Sequence, residues 1–298
     1  MLLLVILLVL MAVLGLVVHY SRQVVYPKVL THDYVKNYEF ENKTYDPLIF
    51  DQLTEEDIKI QTYYGYKLKG KLYLQDKPDK FVLMCHGITS NYDGMKKYCE
   101  IYIKNGYSIL LYDHRNHGFS DRNYTTFGYY EKKDAKSCID YLMKRFDEPK
   151  VGVHGESMGA ATALQLSTID SRVSFCVEDC GYSNLFDLMK FRSSEDHHPL
   201  LSMITPLANQ YIKMFYRFSF QDASVIHSMN KITCPVMFIH GEEDMYVPYY
   251  MVHDLYEAFD GKKALYSVEG ARHAVSINKN RVKYHEEVQK FLDEYVNE

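Results

Sequence analysis

The chain opens on an unbroken apolar stretch, Met1 to Val18, with no charged side chain. As a helix it would be about 27 Å long, close to the hydrocarbon thickness of a bilayer. A cleaved signal peptide would want a basic start and a small-residue cleavage site. Here Leu2 follows Met1 directly, and the exit reads Leu16-Val17-Val18-His19-Tyr20-Ser21. The pattern therefore predicts an uncleaved, single-pass transmembrane anchor over residues 1–18. Arg22, Lys28 and Lys36 all follow the span, which favours a cytoplasmic body. Residues 19–57 are polar, carry Glu39, Glu41, Asp46, Asp51, Glu55, Glu56 and Asp57, and show no clear period. They read as a spacer lying over the surface of the body.

From residue 58 to the end, residues 58–298, the pattern is that of one domain. Ile58–Tyr63 and Lys67–Leu74 alternate around Tyr64-Gly65-Tyr66, a β-hairpin signal. Phe81–Cys85 is continuously apolar, as a strand buried on both faces should be. Further strands are predicted at Ser108–Tyr112, Lys150–His154, Val173–Val177, Val236–Ile239 and Ala264–Val268. Helices are predicted at Gly94–Asn105, Tyr130–Arg145, just after Gly159, at Pro248–Phe259 and at Val282–Tyr295. Strand alternating with helix is the signature of a mostly parallel sheet with helices on both faces. Right-handed crossovers place the strand C-termini along one edge, where ligands bind. The alternation breaks over residues 180–233, about twice the length one crossover needs. This stretch holds Phe186, Met189, Phe191, Met203, Tyr211, Met214, Phe215, Tyr216, Phe218 and Phe220. It reads as a helical cap over the sheet edge, some of whose apolar side chains line a substrate slot.

Composition narrows the function classes. Hydrophobic residues are 47% and charged residues 24% of 298, enough for a packed core. The net charge is −5 and no dense basic block occurs, which argues against a nucleic-acid partner. Tyrosine is unusually frequent at 28, a bias that composition does not explain. None of the six cysteines forms C-x-x-C or a zinc-ligand spacing, so Cys85, Cys176 and Cys234 read as small core hydrophobes. His86, His114, His117 and His154 lie near strand ends, but no H-E-x-x-H spacing supports a metal, and no cofactor is expected. His197 and His198 in the cap read as solvated.

Gly155-Glu156-Ser157-Met158-Gly159 matches G-x-S-x-G between a predicted strand and a predicted helix. In that context the serine sits on a sharp turn with its hydroxyl held out, and the glycines allow strand and helix to approach. The bland alternative is a Gly-Ser turn capping an ordinary helix. A serine hydroxyl needs a base within reach, and the base needs a partner that fixes its tautomer. Asp244 and His273 each follow a predicted strand of the same sheet, in the order Ser, Asp, His expected for this architecture. Alone, Asp244 could be a helix N-cap and His273 an exposed loop residue. Glu178, Asp179 and Glu243 are the runner-up acids. An oxyanion formed at Ser157 requires preorganised N–H donors. The backbone N–H groups of Met158 and Ile88 are the candidates, with His86 and Gly87 shaping the loop.

Taken together, strand-His86-Gly87, Asp113-His114-Arg115-Asn116-His117-Gly118-Phe119-Ser120, Gly155-Glu156-Ser157-Met158-Gly159, Gly241-Glu242-Glu243-Asp244 with Val247-Pro248, and His273 resemble the α/β-hydrolase superfamily. The likeness is to its serine esterase, monoacylglycerol-lipase-like and serine aminopeptidase-like branch, and covers about Ile58 to the C-terminus. It implies an α/β-hydrolase fold with a helical cap and a Ser157-Asp244-His273 triad. It also implies that Asp113, Arg115, His117 and Ser120 brace the loops behind the oxyanion site. The absence of a His-Gly-Gly-Gly loop departs from the hormone-sensitive-lipase-like branch. The function expected is a membrane-anchored serine hydrolase acting on a small ester with an apolar group. An amide or peptide hydrolase is the alternative within the chemistry. A non-catalytic membrane-associated binding protein is the alternative outside it.

Overall fold

The computed structural model describes residues 1–196 and 202–297. Eight strands make one sheet: β1 (Thr54–Gln61), β2 (Lys67–Leu74), β3 (Lys80–Cys85), β4 (Ser108–Tyr112), β5 (Lys150–Glu156), β6 (Val173–Asp179), β7 (Val236–Gly241) and β8 (Lys263–Val268). Their order is β1-β2-β4-β3-β5-β6-β7-β8. β1 and β2 pair antiparallel, as do β2 and β4; every later pairing is parallel. The hairpin is longer than its apolar alternation suggests. Thr54–Asp57 pair with Lys71–Leu74, and Lys71 Nζ meets Glu55 at 2.5 Å and Asp57 at 2.8 Å. Charge pairing, which leaves no hydrophobic period, extends that strand.

The parallel strands alternate between two cores. Phe81, Leu83 and Cys85 of β3 face a cluster with α4 (Glu131–Arg145), α5 (Met158–Ser167) and α8 (Tyr250–Ala258). Val82 and Met84 face the opposite cluster, covered by α3 (Cys99–Lys104) and α10 (Arg281–Tyr295). Each fully buried Leu, Ile or Phe in these layers is worth about 1.5–3 kcal/mol, so the two-sided cover is what holds the sheet. The helix expected from Gly94 begins as a 3-10 turn, Tyr92–Tyr98, before α3. A one-turn helix, α9 (Ser276–Lys279), follows His273; at four residues it is too short to leave a period. All six cysteines are free and buried.

The cap holds α6 (Leu185–Asp196) and α7 (Thr205–Tyr216), then a 3-10 turn at Ile226–Lys231. His197 and His198 lie outside the described residues. The cap's apolar side chains divide. Met189, Phe218 and Phe220 are buried, whereas Met203, Met214 and Phe215 are exposed.

The first helix, α1 (Leu2–Val25), is long and apolar enough to cross a membrane. It runs seven residues past the boundary expected from apolarity, because its last turns have something to pack on. Val17, Ser21, Val24 and Val25 are buried, and Tyr20 Oη reaches Ser193 Oγ of α6 at 2.7 Å. The stretch beyond is also more ordered than a spacer. Thr125 N–H donates to Val25 O and Leu30 N–H to Thr89 O, each at 2.8 Å. Thr31 then caps α2 (His32–Glu41), accepting from Tyr34 N–H at 3.2 Å.

His32 clamps this segment to the body. Its Nδ1 lies 2.7 Å from Asp93 and its Nε2 2.9 Å from Asp113, with its ring stacked on Phe119. Burial alone would lower its pKa, but the bonds to Asp113 and Asp93 raise it to about 9. A histidine raised in the folded state contributes stability that is whole below its unfolded value near 6.5 and lost as pH rises through about 9. A change of that size is worth at most about 3 kcal/mol. The stability gap between the parent and His32→Gln is therefore expected to narrow between pH 6.5 and 9. Melting curves of both proteins across that range test this; a constant gap would contradict it.

Candidate active site

The elbow is built by close backbone packing. A Cβ at Gly159 would sit 1.8 Å from the Cys85 carbonyl oxygen, and one at Gly155 would sit 2.1 Å from that of Gly159. Only glycine lets α5 start so near the ends of β3 and β5. Ser157 is left between them at φ +56°, ψ −116°, a left-handed backbone that costs a non-glycine residue of order 1–3 kcal/mol. The strain turns its side chain out of the strand-to-helix corner. Ser157 N–H donates to Asp179 O at 2.8 Å and fixes the corner to β6.

The structure brings the three sequence-predicted side chains into line. Asp244 follows β7 and His273 follows β8, both at the edge where β5 ends. His273 Nδ1 lies 2.6 Å from Asp244 Oδ2, and His273 Nε2 lies 2.9 Å from Ser157 Oγ. The other oxygen of Asp244 accepts from the N–H groups of Tyr246 and Val247, each at 2.8 Å. Burial would raise the pKa of this carboxyl, but hydrogen bonds from His240 and His273 outweigh it and hold the group well below the usual carboxylate range. An ionised Asp244 accepts from His273 Nδ1–H. That leaves Nε2 bare toward Ser157, whose hydroxyl donates to it. The runner-up acids are elsewhere. Glu243 is exposed, Glu178 accepts from Gly181 N–H at 2.9 Å, and Asp179 accepts from Ser276 and Tyr284.

His240 is the residue that sequence reasoning missed. It is buried on β7, with Nε2 3.0 Å from Val247 O and 3.3 Å from Asp244 Oδ2. Burial would lower its pKa, yet Asp244 and the nearby Glu178 raise it. It lies against the same carboxylate oxygen that His273 contacts. The signal was the i,i+4 spacing to Asp244, which carries meaning only once a turn is known to follow the strand.

The loop after β3 approaches Ser157 from the other side. A Cβ at Gly87, the residue before Ile88, would lie 3.5 Å from Ser157 Cβ. His86 shapes this loop. Its Nε2 accepts from His114 N–H at 2.9 Å, which puts its proton on Nδ1, 2.8 Å from Gly87 O. Asp113 accepts from Tyr92 N–H at 3.0 Å and Phe119 N–H at 2.8 Å, and Ser120 Oγ donates to Asp113 O at 2.6 Å. These bonds brace the loop behind the elbow. His86, His114 and His117 are neutral at ordinary pH because burial lowers each of them. Met158, the second candidate donor, is the first residue of α5, where N–H groups lack intrahelical partners.

Cys180, Asp244 and His273 offer ligand atoms within 4.8 Å of one another. The donor chemistry does not fit a metal. Burial pushes the Cys180 thiol far above its ordinary pKa, away from the thiolate a metal needs, and the other two are committed to their own hydrogen bond.

Two cavities share Arg192 and Tyr246, and of the two only the second is lined by a triad residue. One of about 200 Å³ is bounded by Ile88, Phe127, Met189 and the last turns of α1. The other, about 780 Å³, is lined by His273, Arg272, Glu242 and Glu243. A larger hollow of about 880 Å³ lies between α3 and α10 and touches no triad residue.

Comparison with known proteins follows the same lines. The family described as "Serine aminopeptidase, S33" matches residues 76–175, and the "Dienelactone hydrolase family" matches residues 212–294. Uncharacterized protein YqkD of Bacillus subtilis is 31% identical over 285 residues, covering 95% of this chain and 93% of that one. Thiohydrolase aneE of Aspergillus aculeatus is 29% identical over 135 residues, 44% of this chain and 42% of its own. Among solved structures, the Pyrococcus furiosus esterase Pf2001 superposes with a TM-score of 0.69 at 25% identity, over 84% of this chain and 96% of its own.

Proposed function

The chain belongs to the α/β-hydrolase superfamily, and from that premise we propose that it is a membrane-anchored serine hydrolase that cleaves carboxylic esters through an acyl-enzyme intermediate. One observation carries the reading: the unbroken line from Ser157 Oγ through His273 to Asp244, at 2.9 and 2.6 Å. Ser157 attacks the carbonyl carbon as His273 Nε2 takes its proton, and Asp244 stabilises the imidazolium that forms. The N–H groups of Ile88 and Met158 meet the charge that develops on the carbonyl oxygen. His273 then gives its proton to the departing alkoxide. Water, activated by the same imidazole, releases the acid. The left-handed backbone of Ser157 supports the reading, since strain of this kind persists where function needs it. The anchor reading rests on α1, with Arg22, Lys28 and Lys36 favouring a cytoplasmic body.

A fluorophosphonate probe tests the assignment. The parent is expected to label covalently and Ser157→Ala not at all. Equal labelling of the two would falsify the nucleophile. The match to a serine aminopeptidase description favours a second reading, hydrolysis of an amide by the same residues. Faster turnover of aminoacyl amides than of simple acyl esters would establish it. A labelled Ser157 without turnover of either substrate class would point instead to a binding protein.

A further inference from the structure

We infer that the two cavities on either side of Tyr246 divide the substrate: the one walled by the end of α1 receives a short acyl chain or single ring, and the open one, lined by His273, receives the leaving group. This rests on the serine-hydrolase reading above and names its substrate class. The assignment follows from where protons and charge must go. The leaving oxygen has to lie at His273 Nε2, which protonates it. The leaving group therefore extends into the cavity that His273 itself lines. The carbonyl oxygen has to face the N–H of Ile88. With the leaving group on the His273 side of Tyr246, the acyl group is assigned to the cavity on its other side.

The two cavities share Arg192 and Tyr246 as a partition. The Tyr246 ring lies 4.9 Å from the His273 ring, and the Arg192 guanidinium lies 4.1 Å from the Tyr246 centroid. The leaving-group side, about 780 Å³ and bounded by Glu242, Glu243, Arg272 and Met245, has room for a bulky alcohol. The acyl side presents Val24, Ile88, Phe127 and Met189, with Gln23 and Thr89 among them.

Its size sets the chain length. A cavity of 150 Å³ takes up benzene, so about 200 Å³ holds roughly six to eight heavy atoms. Helix α1 supplies Tyr20, Gln23 and Val24 to the wall, and Tyr20 Oη is tied to Ser193 Oγ at 2.7 Å and Met189 O at 3.3 Å. The helix that carries the apolar N-terminal stretch is thus also the element that limits the acyl chain.

The test uses the full chain in detergent with p-nitrophenyl acetate, hexanoate, octanoate and hexadecanoate. The parent is expected to prefer hexanoate or octanoate over hexadecanoate by at least tenfold in kcat/KM. One methylene in such a pocket discriminates by about 10–200-fold. Val24→Phe is therefore expected to lower the hexanoate-to-acetate ratio at least tenfold, and Val24→Ala to move the preference toward octanoate. Rates are normalised to the fraction of Ser157 that labels, so a poorly folding Val24→Phe leaves Val24→Ala to decide. Unchanged ratios in the variants, or a parent that prefers hexadecanoate, overturn the assignment. Turnover that survives Ser157→Ala is a distinguishable result: it removes the hydrolase reading beneath it.

Discussion

Replacing Ser157 by alanine is expected to lower kcat for an ester substrate by about 10⁶-fold, and replacing His273 by alanine by about as much. Residues that act as one proton relay lose nearly everything together, so the double variant should be no worse than either single one. The Asp244→Asn variant is more informative, because the structure dictates how it fails. Oδ1 of Asp244 accepts from the N–H groups of Tyr246 and Val247. The amide oxygen must stay on that side, and the new NH₂ must face His273 Nδ1. A donor there forces the proton of His273 onto Nε2, where it points at Ser157 and blocks its role as base. A loss of about 10⁴-fold follows, with the fold intact. Steady-state kinetics with melting temperatures check it. A loss below tenfold in a folded Asp244→Asn protein would mean that Asp244 does not orient His273.

Much of this site was legible in the sequence because strand ends are legible. Phe81–Cys85, Val173–Val177 and Val236–Ile239 are short apolar runs, and a parallel sheet sends their C-termini to one edge. Any polar residue just beyond such a run becomes a site candidate, which is how Asp244 and His273 could be paired with Ser157. What was hidden lay in contacts between segments with no common period. His32 meets Asp93 and Asp113 across long loops, and nothing local in His32-Asp33-Tyr34 announces it. The end of α1 was hidden for a different reason. Apolarity marks where a helix is greasy, while Ser21 and Gln23 continue the helix and Ser21, Val24 and Val25 pack on protein.

The abundance of tyrosine also becomes readable only in three dimensions. Tyr98, Tyr102 and Tyr284 are buried with their hydroxyls on Glu156, His154 and Asp179. Each supplies a ring to the core and a hydroxyl to a buried polar group, which must be satisfied or cost about 1–3 kcal/mol. Lys97 joins the same group, 2.6 Å from Glu156, the residue before the elbow serine. The corner that holds Ser157 is thus supported by a buried polar network.

Arg115 is expected to be the costliest single side chain to remove outside the elbow. Its Nε lies 2.7 Å from Asp134 Oδ2 and its guanidinium 3.2 Å from Oδ1, with both side chains buried. The rings of Tyr64, Tyr66 and Tyr130 surround it at 5.0–5.1 Å, joining the β1–β2 turn to the start of α4. Arg115→Met breaks a buried pair and strands Asp134, a loss of about 3–5 kcal/mol. In a domain of this size that is on the order of 10 °C in Tm. Burial already lifts the Asp134 pKa to about 6 against the pull of Arg115; without the arginine it rises further. An acid whose folded pKa is raised loses stability as pH climbs from its unfolded value through the folded one. The defect of Arg115→Met should accordingly be mild near pH 4 and full by pH 8. Adding Asp134→Asn should recover most of it at pH 8, since the amide keeps a partner for the Tyr66 hydroxyl without a charge. Denaturant melts of both variants at the two pH values measure this. If Arg115 only braces the loops, folded Arg115→Met at low temperature keeps kcat within about tenfold of the parent, whereas a collapse toward the Ser157→Ala level would put Arg115 in the chemistry.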